Sequence, residues 1–97
     1  MLHAEDGKVI KINEVWTDIT GYSQEEIPTI SDWTEKAYGE EKTEMEKVIE
    51  SLYEKKGRTS EGEFEIRTKD GEKRIWNFMS TNLGELPDGR SLVLSTA

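Results

Sequence analysis

The chain has 97 residues, 33% hydrophobic and 35% charged, which fits a single domain over residues 1–97 with one modest core and excludes a second domain closing over a substrate. With 13 Lys and Arg against 21 Asp and Glu, the net charge of −8 repels nucleic acid and anionic membranes, so neither is expected as a partner. No apolar run is long enough to span a bilayer, and the lack of cysteine removes disulfides, thiolate metal sites and cysteine nucleophiles; a cytoplasmic setting is expected.

In chain order, Leu2 to Ala4 read as the remnant of a strand. Asp6-Gly7 marks a turn, and the strand after it places Ile10 and Ile12 on one face and Lys11 on the other. Asn13 is placed to cap a helix over "EVWTDIT", which Gly21 ends. Ser23 with Glu26 has capping-box spacing and predicts a second short helix, broken by Pro28. "TISDWTEKAY" follows as a further short helix or irregular segment. The long helix is expected over Glu40 to Lys56. Met45, Val48, Ile49, Leu52 and Tyr53 fall on one stripe, acidic residues open it, lysines close it, and Gly57 is expected as its C-cap.

From Glu61 to Leu83 the pattern is a β-hairpin. With Asp70 and Gly71 as a two-residue turn, Ile66 pairs with Ile75 and Phe64 with Asn77 on the inner face, while Trp76 and Phe78 face outward opposite Glu65 and Glu63. Arg67 also points outward. A Pro-Asp-Gly turn leads to the last strand, "SLVLSTA", in which Leu92 and Leu94 are expected to face inward and Val93 outward.

Three fragments in this order, "DGKVIKIN" with "EVWTDITGYSQEEI", then "IRTKDGEKRIW", then "LPDGRSLVLSTA", resemble the PAS domain, the small sensory module of signalling proteins. The resemblance spans essentially the whole chain. It implies an α+β fold, a five-stranded antiparallel sheet with helices packed on one face and a pocket between them. It also implies a sensor domain excised from a larger signalling protein, most simply a histidine kinase of a two-component system, with an output domain in the same chain.

An autonomous enzyme is not expected, because His3 is the only histidine and lies near a terminus, leaving no base for a nucleophile. By resemblance, haem is disfavoured, since residues 29–57 hold no histidine, and chromophores linked through cysteine are excluded. Non-covalent flavin and a small organic ligand remain open, and with Arg67 and Lys11 turned outward a neutral ligand is favoured over a carboxylate. The expected pocket residues are Trp33, Leu52, Phe64, Asn77 and Met79. Two readings stand for Asn77: with Thr81 it meets a ligand or water, or it bonds to backbone of the helical layer. Trp33 and Tyr38 either line the entrance or pack in the core. Trp76, Phe78 and Val93 are expected to form an apolar outer patch, the interface of a homodimer. The rival function is a dimerisation spacer with no ligand; a flavin redox sensor is the other alternative.

Overall fold

The computed structural model describes residues 1–55 and 57–96. Its strands are β1 (Leu2–Ala4), β2 (Val9–Lys11), β3 (Gly57–Arg67), β4 (Lys73–Glu85) and β5 (Ser91–Thr96), which form one five-stranded antiparallel sheet in the order β2-β1-β5-β4-β3. The helices are α1 (Glu14–Thr20), α2 (Ile30–Tyr38) and α3 (Lys42–Leu52), with a 3₁₀ turn over Gly39–Glu41 before the last. Their apolar sides meet Ile66, Trp76 and Phe78 on one face of the sheet, so the α+β arrangement is the one expected.

The helix ends follow from their caps. Asn13 Oδ1 accepts the Trp16 N–H at 2.9 Å, and Gly21, at φ 80°, closes α1 with its N–H on the Thr17 carbonyl. Thr29 Oγ1 caps α2 by accepting the Asp32 N–H at 3.1 Å. The helix expected at Ser23 is instead a turn. The Ser23 N–H does donate to Glu26 Oε1 at 3.1 Å, but the few residues between Gly21 and Pro28 are too short a run to repay helix nucleation. Helix α3 is also shorter than its stripe implies. It stops at Leu52 because Asn82 Nδ2 takes the carbonyls of Leu52 and Tyr53, at 3.3 and 3.1 Å. Gly57 therefore opens β3 and does not cap the helix; Lys56, expected as its end, lies outside the described residues.

The hairpin between β3 and β4 turns through three residues, Lys69, Asp70 and Gly71. The Thr68 N–H donates to the Glu72 carbonyl at 2.8 Å, the Gly71 N–H returns to Thr68, and Gly71 takes φ 89°. Phe64 consequently pairs with Trp76 and Ile66 with Arg74, one residue away from the expected register. A slip of one residue sends every side chain of a strand to the opposite face. Trp76 and Phe78 are buried under the helices, whereas Ile75 is 68% exposed on the outer face. Further along, the pairing shifts between Ser60 and Gly62, leaving Glu61 as a bulge residue whose carboxylate reaches Ser80 inside the sheet.

Candidate functional site

Between sheet and helices lies a nest of aromatic rings. Trp16 sits with its centroid 5.0 Å from both Trp33 and Trp76 and 6.2 Å from Phe78, mostly edge to face. Beside this nest runs a file of buried polar side chains. His3 Nδ1 lies 2.5 Å from Tyr53 Oη, His3 Nε2 lies 2.8 Å from Ser95 Oγ, and Ser95 Oγ lies 2.8 Å from Ser80 Oγ. Ser80 Oγ in turn donates to Glu61 Oε1.

With an uncharged His3 ring the file has one self-consistent set of donors. With Ser80 donating to the carboxylate, Ser95 donates to Ser80, His3 donates from Nε2 to Ser95, and Nδ1 is left to accept the Tyr53 hydroxyl. This requires a neutral imidazole. Burial supplies it, pushing the His3 pKa down to about 4, and burial likewise raises the Glu61 carboxyl and the Tyr53 and Tyr38 phenols. Such a histidine is a weak base at neutral pH, and Ser95 beside it is buried, so the pair lacks what a nucleophilic site needs. Among the described residues no three His, Cys, Asp or Glu side chains converge as a metal site, and no helix is long and apolar enough to cross a membrane.

A cavity of about 20 Å³ opens where the file meets the aromatic nest. Its polar wall is His3, Ser95 and Glu61; its aromatic wall is Trp16, Trp33, Tyr38 and Phe78; Met45 and Ile49 close it from α3. Trp16, Met1 and Ser95 are shared with a larger groove of about 150 Å³, around which Val15, Ile19 and Leu94 lie exposed.

Of the residues expected in the pocket, Trp33 lines the cavity, Phe64 packs half-buried against Phe78, and Leu52, the last residue of α3, is buried but does not line it. Asn77 and Met79 are corrected. The three-residue turn places them on the outer face, where Asn77 is exposed and needs no internal partner. The expected interface is corrected for the same reason: Trp76 and Phe78 are 9% and 4% exposed, inside the core. Val93 is fully buried because β5 is a central strand whose inward positions are Val93 and Ser95, beside His3 and Ser80, which leaves Leu94 outside. Arg67 and Lys11 are exposed, as alternation places them. His3, Ser80, Ser95 and Glu61 are site residues that sequence reasoning missed. Period two from Trp76 and Phe78 to Ser80 carries the signal, once the turn is counted correctly.

The sequence matches the family described as the PAS fold over residues 9–91. No curated protein sequence matches it. Among solved structures it is similar to wild-type Drosophila melanogaster Cycle PAS-B with bound ethylene glycol, at 14% identity and a TM-score of 0.71, over 98% of this chain and 94% of that one. That likeness is one of fold.

Proposed function

This chain belongs to the PAS-fold family, and from that premise we propose that it is the ligand-sensing and dimerising module of a multidomain signalling protein. The observation carrying the reading is the polar file from Tyr53 through His3, Ser95 and Ser80 to Glu61, set against a cavity in an otherwise apolar interior. Packing alone is better served by apolar side chains of similar volume, so the file marks a place where polarity is used. A ligand that touches it differently in two sheet–helix arrangements shifts the population between them. The outer face, where Ile75 and Leu94 are 68% and 39% exposed, then carries the difference to a second copy or to an output domain. A histidine kinase output and a cytoplasmic setting complete the proposal on sequence resemblance alone.

The second reading, a spacer without ligand, is favoured by the size of the cavity: about 20 Å³ is room for one water. Cofactor pockets run to about 300–1,000 Å³, so a flavin would have to part the aromatic nest, and the redox-sensor reading has correspondingly little support. A thermal-shift screen of small metabolites on the native chain and on Ile49→Phe, which fills the cavity from α3, separates the two. The sensor reading expects compounds that raise the melting temperature of the native chain and lose that effect in the variant. An empty screen, with the variant as stable as the native chain or more so, would establish the spacer.

A further inference from the structure

Two edges of the sheet are protected against a further strand, and a third is not. Along β2 the Val9 N–H donates to the Pro28 carbonyl at 2.9 Å and Gln24 Nε2 to the Ile10 carbonyl at 2.6 Å. The free edge of β3 is broken by the bulge at Glu61 and carries Glu63, Glu65 and Arg67 beyond it, devices that keep natural edges from pairing. A further edge exists on β4, because β5 pairs with it only from Met79 to Glu85. From Lys73 to Asn77, β4 holds β3 on one side and, among the described residues, no strand on the other. The direction of its backbone groups follows from β5. The Ser95 N–H donates to the Met1 carbonyl at 2.8 Å, so by alternation Thr96 turns its backbone groups to β4, and its partner Met79 turns to β5. Asn77, Ile75 and Lys73, at steps of two from Met79, therefore turn their N–H and C=O groups to the open side.

Side chains complete the slot. On α1, Val15 and Ile19 are 60% and 40% exposed, and with Trp76 and Thr96 they line the groove of about 150 Å³ at the end of β5. We propose that an extended segment of a partner protein adds to the sheet here, antiparallel to β4 and in line with β5, opposite Lys73 to Asn77. Its backbone answers Asn77, Ile75 and Lys73. Its inward side chains, opposite Trp76 and Arg74, are small and apolar because they meet Val15 and Ile19, and its outward side chain opposite Lys73 is acidic. Backbone groups offered at alternate residues select a strand over a helix. A second copy pairing through the same edge about Ile75 would set its own hairpin loop against Met79, a place that Thr96 already holds. The inference goes beyond the sensor reading and does not depend on it, since the contact runs along a strand edge and not across the outer face.

The test is NMR of the full chain with the peptide acetyl-Thr-Val-Thr-Val-Glu-amide, whose residues fall in order opposite Asn77, Trp76, Ile75, Arg74 and Lys73. In the dilute chain alone, the Ile75 and Asn77 amides should exchange with solvent at least about tenfold faster than that of Trp76, which points to β3. The peptide should slow both amides and shift them saturably, with a dissociation constant on the order of 1 mM. Two N-methylated peptides separate strand addition from a merely apolar contact. A methyl on the central Thr nitrogen, which points at Ile75, should weaken binding at least about tenfold, whereas one on the second Val nitrogen, which points away from β4, should leave it within about twofold. The Val15→Ser/Ile19→Ser variant should bind several-fold more weakly. Equal binding of the two N-methylated peptides, no saturable shift up to about 10 mM peptide, or slow exchange of Ile75 and Asn77 already in the dilute chain would overturn the proposal. Slow exchange that appears without peptide as the chain is concentrated would give the edge to a second copy and overturn it as well.

Discussion

His3 shows how a single buried side chain sets the response of the domain to acid. Its pKa falls from 6.5 to about 4 in the fold because burial penalises the charged ring. The unfolded chain therefore takes up the proton first. His3's contribution is complete above about pH 6.5 and lost as the pH falls toward 4, amounting to roughly 2–3 kcal/mol by pH 4.5. Glu61 works in the opposite direction. Burial raises its carboxyl, so its contribution is present below the unfolded carboxyl value and lost as the pH rises through the folded one. Urea unfolding of the native chain and of His3→Gln at pH 7 and pH 4.5 isolates the histidine. The native chain should lose roughly 2–3 kcal/mol more than the variant between the two pH values; equal losses would mean that His3 is not held neutral in the interior.

At the scale of elements, one loop decides which half of β4 is core. The Asp-Gly pair is the strongest short signal for a two-residue turn, and such a turn puts Trp76 and Phe78 outside. The loop takes Lys69 as well, because the Asp70 carboxylate accepts from the Thr68 hydroxyl and the Glu72 N–H, and the Lys69 N–H is tied to the Thr20 carbonyl at the end of α1. Those tertiary ties carry no sequence signature. The puzzle of aromatic residues beside glutamates disappears with the corrected count, since Trp76 lies opposite Phe64 and Ile75 opposite Glu65. Trp76→Ala should accordingly cost about 3–5 kcal/mol in a urea titration. Ile75→Ala should cost less than about 0.5 kcal/mol, and the reverse ranking would restore the two-residue turn. The caps at Asn13 and Gly21 and the stripe of α3 were legible because each is local chemistry. The end of α3 was not, because its cap is Asn82, thirty residues from Leu52.

For the whole molecule, element order and family resemblance made the sheet and its helical layer legible, and family membership over residues 9–91 accords with them. The site was legible only in part. Phe64 followed from the inner-face pattern and Trp33 from its place in the short segment before the long helix, while the polar file needed His3, Ser80, Ser95 and Glu61 to be brought together from four strands. The corrected register also moves the proposed interface without abolishing it. Ile75 and Leu94 stand exposed on the outer face at separate points along β4, with Met79 half-buried between them, on a chain whose net charge of −8 opposes non-specific association.

Sedimentation velocity of the native chain and of the Ile75→Glu/Leu94→Glu double variant, over concentrations up to about 1 mM, tests the dimerising module most directly. The native chain should sediment as a dimer at the upper end and the double variant as a folded monomer. A native chain that remains monomeric throughout, or a variant that associates as strongly as the native chain, would contradict a module that signals through its outer sheet face.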